Sequence, residues 1–205
     1  MAIEYYYDDT AWKQCHIDDL WIFDKLILAK KLGYICGPAG VDVPSSGYYI
    51  VRPITNIMGM GIAADFMMLD DNTDDLPAGT FWCEVFKGRH LSVDYINKKQ
   101  VLCVEGHKKD TAVIYKWDRW ERVDDIIPYP PILETLKGDY KYINCEFIGG
   151  NLIEVHLRLN PNFTNGEQVL HVVWEGEDTT PPEGMVFVEE KDYKRQGFFI
   201  PKDDI

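Results

Sequence analysis

Apolar and polar positions change period along the chain. Residues 18–32 carry a broad apolar stripe, with Leu20, Phe23 and Ile27 recurring at helical spacing. Asp18 or Asp19 is placed to cap that helix, and Gly33 to end it. After it the period shortens to two. Residues 34–36 predict a short strand and 48–52 a longer one, closed by Pro53. An apolar stretch over 62–69 is followed by an acidic turn over 70–75. Strand patterns then recur at 80–86, 90–97, 101–106 and 111–117, the spacing of an antiparallel meander. Pro128, Pro130 and Pro131 mark a linker, followed by one helical turn over 132–136. Two closely joined strands, 142–148 and 152–159, precede weaker ones at 168–174 and 185–189 and a polar tail. A helix followed by many strands predicts an α+β class.

Composition narrows this. The 205 residues are 46% hydrophobic and 13% aromatic, a globular balance that suits one domain or two joined subdomains. The charge, 21 − 34 = −13, argues against sequence-independent binding to nucleic acid and against an anionic membrane surface. No apolar run reaches the roughly 20 residues that span a bilayer. The acidic, aromatic N-terminus does not read as a signal peptide, so a cytoplasmic protein is expected. Five cysteines without a CxxC pair predict reduced thiols.

The segment most informative about chemistry runs from Asn144 to Arg158. Gly149-Gly150-Asn151 between two alternating runs is a hairpin signal. With a three-residue loop, Ile148 pairs with Leu152 and Glu146 stands opposite Glu154. Alternation then puts Cys145, Phe147, Ile153, Val155, Leu157 and Leu159 on a core face, and Asn144, Glu146, Glu154, His156 and Arg158 on the other. A two-residue loop would instead put Glu146 opposite Ile153. Paired carboxylates suit Mg²⁺, which takes one or two and fills its shell with water and phosphate oxygens. Arg158 could hold a further anion by a bidentate contact. A polar, solvated face on which His156 and Arg158 neutralise the glutamates explains the same pattern.

Arg52 ends a strand just before a loop containing Gly59 and Gly61. Such a loop can cradle phosphates with its backbone N–H groups, or be an ordinary turn. It is neither a P-loop nor a dinucleotide fingerprint. Lys25, read as mid-helix beside Asp24, is by default a solvated surface lysine. His90 and His107 lack zinc-ligand spacing. The tryptophans of Trp117-Asp118-Arg119-Trp120 read as packing residues.

Taken in order, these elements resemble the ATP-grasp superfamily. Asp24-Lys25 opening a helix, followed by Leu32-Gly33-Tyr34 and Pro44, resembles its DK…GxxxP opening. Tyr49-Ile50-Val51-Arg52-Pro53 with Gly59-Met60-Gly61 resembles its VVKP strand and mobile phosphate loop. Glu84-Val85-Phe86-Lys87-Gly88-Arg89-His90-Leu91-Ser92-Val93-Asp94 resembles its hinge. Asn144-x-Glu146 and Glu154-Val155-His156-Leu157-Arg158 resemble its terminal metal-binding strands. The resemblance covers residues 20–160.

What it implies is two α+β subdomains with a nucleotide cleft between them, without a full N-terminal pre-ATP-grasp domain. Residues 1–79 would hold the small subdomain and phosphate loop, and 80–205 the larger antiparallel one with hinge and metal hairpin. Lys25 and Arg52 would contact the phosphates of ATP, under the loop with Gly59 and Gly61. Residues 82–86 would form the hinge against adenine, with Glu84 near the base, Phe86 beside it and His90 near the ribose. Glu146, Glu154 and His156 would hold one or two Mg²⁺. Arg158 and Arg52 would stabilise the transferring phosphoryl group. The implied activity is an ATP-dependent, ADP-forming ligase that activates a carboxylate as an acylphosphate for attack by an amine. A kinase of the same fold, or a non-catalytic nucleotide-binding or structural subunit, are the alternatives. On this reading Glu154→Gln removes turnover and leaves the fold intact. Two departures stand out: arginine replaces the usual lysine at Arg52, and His156 replaces a metal-binding asparagine. With few residues before Lys25, the acceptor site would come from the loops, the tail after Asn160, a second copy or a partner subunit.

Overall fold

The computed structural model describes residues 7–55, 61–108 and 113–204. It opens with α1 (Asp8–Gln14), a 3-10 helix (Ile17–Phe23) and α2 (Lys25–Lys31). The single helix expected over 18–32 is therefore two, divided at Asp24. Asp24 has extended backbone, and its carboxylate accepts from Ile27 N at 2.7 Å, which caps α2. Lys25 thus heads a helix instead of lying inside one. The other end is as expected: with Gly33 at φ +77°, Tyr34 N donates to Ala29 O and Gly33 N to Lys30 O.

The strands form two antiparallel sheets. The first contains β1 (Cys36–Pro38), β2 (Gly47–Pro53), β3 (Asp65–Leu69) and β4 (Thr80–Glu84), in the order β1-β4-β2-β3. The second contains β5 (His90–Ile96), β6 (Lys99–His107), β7 (Arg119–Arg122), β8 (Tyr142–Ile148), β9 (Asn151–His156), β10 (Val169–Trp174), β11 (Met185–Asp192) and β12 (Arg195–Pro201). Its order is β11-β12-β10-β7-β6-β5-β8-β9. Because β4 lies between β1 and β2, strand pairing puts the division after Glu84, not between residues 79 and 80. No strand forms over the described part of 111–117. The third strand of the meander is β7, whose sequence Arg-Trp-Glu-Arg has no apolar alternation. The tail expected to be polar contributes β12.

α2 joins the sheets. Leu26 and Ala29 pack on Phe81 and Cys83 of the small sheet. Leu28 joins Phe23, Val93, Cys145 and Val155 in the core of the large one. Burying such side chains contributes about 1.5–3 kcal/mol each, so α2 is held from both sides. Its first residue is thereby fixed at the seam. A third cluster, with Val104, Leu170 and Phe198, anchors the far strands.

The β8–β9 hairpin decides the site. Its loop has two residues, Gly149 and Gly150, both with positive φ, and Ile148 pairs with Asn151. That register alone would face Glu146 with Ile153. A bulge intervenes: Phe147 pairs with Leu152, yet Glu146 pairs with Glu154. Ile153 is the extra residue. The expected glutamate pairing is met by a different route, and Leu152 rather than Ile153 joins the large-sheet core.

Candidate functional site

A cleft of about 710 Å³ lies between the sheets. It is lined by Lys25, Arg52, Gly61, Glu84, Phe86 and His90 from one part of the chain, and by Glu146, Glu154, His156 and Arg158 from another. Gly59 lies outside the described residues.

Lys25 is placed by its helix start. Its backbone N–H donates to Ile54 O at 2.8 Å, tying α2 to the end of β2 and so to Arg52. Its ammonium is 3.3 Å from Glu154 Oε2, and the two side chains are only 7% and 6% exposed. The solvated lysine expected by default is a buried ion-pair partner. Arg52 reaches across the cleft, where its Nη2 donates to Ile153 O at 3.0 Å. The bulge bears this acceptor, so it joins the sheets as well as setting the register.

Glu154 is the centre of a chain of charges. His156 Nε2 stands 3.4 Å from Glu154 Oε1, and His156 Nδ1 3.1 Å from Asp8 Oδ1. Asp8 in turn meets Arg158, with Nη2 2.9 Å from Oδ2. Arg158, Asp8, His156, Glu154 and Lys25 therefore alternate in sign. Burial and Arg158 oppose a charge on His156, but the flanking Asp8 and Glu154 carboxylates outweigh them and raise its pKa to about 9. Burial would likewise raise Glu154, yet Lys25 and then His156 hold it well below the usual carboxylate range. Sequence reasoning missed Asp8, because nothing local links it to a residue 148 positions away.

Two residues differ from their expected surroundings. Glu84 Oε1 accepts from Ile35 N at 2.8 Å, so this carboxylate is engaged with backbone at the start of β1. Trp82 points away from the cleft into the core of the small sheet, its Nε1 donating to Val41 O at 2.7 Å. Phe86 packs edge-on against Tyr34, centroids 4.6 Å apart. His90 Nε2 is 3.1 Å from Glu146 Oε2, and its ring meets Trp117 and Trp120 edge-on.

Among the described residues, no three His, Cys, Asp or Glu side chains cluster so as to hold a metal ion. The donor set for a cation is thus the two glutamates. Their fit to Mg²⁺ rests on Glu154 Oε1, which is buried and makes no hydrogen bond, with His156 Nε2 standing off at 3.4 Å. His156 does not fit as a ligand, because a protonated ring facing carboxylates at both nitrogens has no lone pair to give.

Behind the glutamates, Asp94 buttresses the hairpin. It accepts from Asn144 Nδ2 at 2.8 Å and from Asn160 N at 2.9 Å. Burial pushes its pKa up to about 6, against the opposing Asn144 hydrogen bond. The native state therefore keeps this proton longer than the unfolded chain, and stability falls as pH rises from about 4 to about 6. The ionised form costs about 3 kcal/mol above that window. Asp94→Asn lacks this penalty. Its melting temperature should exceed that of the parent by more at pH 7.5 than at pH 4.5. A difference that does not vary with pH would contradict the burial argument.

No protein-family model matches the sequence, and no curated protein matches it significantly. Solved structures do match. An ATP-grasp superfamily protein from Archaeoglobus fulgidus is similar with a TM-score of 0.53 at 17% identity, over 88% of this chain and 64% of that one. An N5-carboxyaminoimidazole synthase from Aspergillus clavatus, solved with ADP and 5-aminoimidazole ribonucleotide, gives 0.55 at 10%, over 94% and 72%. An L-amino acid ligase from Bacillus licheniformis gives 0.52 at 8%, over 88% and 66%. The chain has the ATP-grasp fold. It spans 64% of the length of the Archaeoglobus protein. No helix among the described residues is long and apolar enough to cross a membrane.

Proposed function

We propose that this chain is an ATP-dependent ligase of the ATP-grasp type, which activates a carboxylate as an acylphosphate and passes the acyl group to an amine, releasing ADP. One observation carries the proposal. Lys25, Arg52 and the Glu146–Glu154 pair, which come from distant parts of the chain, converge on one cleft between the two sheets of this fold. The ADP bound by the Aspergillus synthase supports a nucleotide here.

The residues take distinct roles. Lys25 and Arg52 bind and screen phosphate oxygens. Phe86 offers an apolar wall for the base, and Glu146 and Glu154 would hold Mg²⁺. Held there, such an ion would supply positive charge against the negative charge that develops on the transferring group. Beyond His90 the cleft continues along Trp117, Trp120, Trp174 and Phe198. This stretch, whose aromatic lining is interspersed with Lys108 and Arg195, is where the carboxylate and amine would sit with water kept out, which an acylphosphate needs to escape hydrolysis.

ADP with Mg²⁺ at about 100 times its dissociation constant should stabilise the protein by about 2.7 kcal/mol. For a chain of this length that is a rise of about 5–10 °C in melting temperature. EDTA should diminish it, and Arg52→Ala should remove most of it. Screening carboxylates and amines for ADP release then finds the substrates. Absence of any shift at millimolar nucleotide would refute the reading. A non-catalytic nucleotide-binding role is favoured by one observation alone: the donor edge of Arg158 is already occupied.

A further inference from the structure

That occupation is specific. Arg158 Nε donates to Asp8 Oδ2 at 3.0 Å, Nη2 lies 2.9 Å from the same oxygen, and Nη1 donates to Leu159 O at 3.0 Å. The Nε–Nη2 edge with which a guanidinium grips an oxyanion is thus turned onto the protein's own carboxylate. His156 Nδ1 reaches the same carboxylate, 3.1 and 3.2 Å from its two oxygens, and is itself 3.4 Å from Arg158 Nη2. Two nitrogen donors from neighbouring positions of one strand end therefore converge on a single anion, and all three groups line the cleft.

The anion is contributed from outside the two sheets. Asp8 begins α1, a seven-residue helix whose N-cap, Tyr7, makes no side-chain capping bond. Ala11 is the apolar residue of α1 that is fully buried, and Trp12 touches Phe23 only edge-on, centroids 5.4 Å apart. Asp9, Lys13 and Gln14 face solvent. A helix this short has little stability of its own. Its hold on the protein includes the ion pairs made by Asp8.

We propose that Asp8 is the internal occupant of an oxyanion subsite formed by Arg158 and His156, and that a phosphoryl or carboxylate group of a substrate enters the subsite by displacing it. The inference deepens the proposed function and rests on it only for the statement that the anion belongs to a substrate. It reconciles an occupied Arg158 with an active enzyme: the resting protein shields the Arg158 guanidinium and the His156 ring, and only an anion able to compete with a buried carboxylate uncovers them. The apparent affinity of the subsite is lowered by the fraction of time that Asp8 is seated.

The test is calorimetric titration of the full chain with inorganic phosphate and, separately, with acetate. Asp8→Asn should bind at least one of them about tenfold tighter than the parent, the factor expected if Asp8 is seated about nine-tenths of the time. The anion that gains identifies which group the subsite takes. The gain should vanish in Asp8→Asn combined with Arg158→Gln. Equal or weaker binding of both anions by folded Asp8→Asn overturns the proposal. Should that variant not fold, hydrogen exchange on the unaltered protein decides. The Ala11 and Cys15 amides, which bond to Tyr7 O and Ala11 O, should exchange several-fold faster with the saturating anion, and unchanged exchange overturns the proposal. ADP with Mg²⁺, titrated into the unaltered protein alongside, separates the two ideas. Failure of ADP to bind removes the nucleotide reading and leaves the anion comparison standing.

Discussion

Replacing Glu154 with glutamine is expected to destabilise the fold by about 3–5 kcal/mol, the usual loss when one partner of a buried ion pair is removed. From sequence alone, this variant was expected to lose turnover and keep its fold. The structure changes that expectation, because Glu154 is the buried counter-charge of both Lys25 and His156. A neutral amide would leave two cations facing each other in a space that excludes water. Urea denaturation measures the loss directly. The combined variant Lys25→Met and Glu154→Gln should recover more than half of it, since the orphaned ammonium is gone and an apolar side chain fills its place. A loss of about 1 kcal/mol or less from Glu154→Gln would mean that water reaches the pair and screens it as it does at a surface.

Gly149→Ala should be comparably damaging, at about 2–5 kcal/mol, and Gly150→Ala should not. Both residues have positive φ, at +55° and +84°. An alanine in that region costs about 1–2 kcal/mol at either position. The difference lies in what the new methyl meets. At Gly150 there is open space, whereas at Gly149 it would stand 2.0 Å from Lys87 O, a backbone atom that cannot turn aside. Overpacking adds about 1–3 kcal/mol. The approach is close because the hairpin tip docks on the turn between β4 and β5, where Gly149 N donates to Arg89 O at 3.0 Å. Gly149→Ala should therefore also weaken nucleotide binding, by shifting the glutamates relative to the hinge. Thermal melts of the two variants side by side test the contrast. Equal losses would show that backbone conformation, not the close approach, governs the tip.

Much of the candidate site was legible because its residues sit in short, strongly patterned segments. The alternation puts Glu146 and Glu154 opposite each other, as they are found, although it misplaces Ile153, and Gly33 ends its helix as glycine at that position should. What escaped had non-local causes. The bulge at Ile153 has no mark in the sequence; it follows from fitting a tight two-glycine turn while both flanking strands bury their apolar residues. The break at Asp24 is invisible to periodicity, because the apolar stripe runs on across it; the family resemblance, with Asp24-Lys25 opening a helix, places it where it is found. Strand β7 carries three charged residues in four and is a strand because β6 and β10 flank it. Asp8 gains its significance only from partners at the other end of the hairpin.

These partnerships bear on how the molecule is made. Asp8 precedes His156 by 148 residues, and Lys25 precedes Glu154 by 154 − 25 = 129. Strands β1 to β4, all within residues 36–84, can pair with one another while synthesis continues. The helices made before them settle only in part: Leu26 and Ala29 can pack on Phe81 and Cys83, but the core that receives Phe23 and Leu28 includes Val155 and Leu157. A growing chain therefore presents an apolar, charge-bearing N-terminal arm to the cell until β9 has emerged. That interval, ended by a contact of high sequence separation, is the time during which a chaperone would find something to hold.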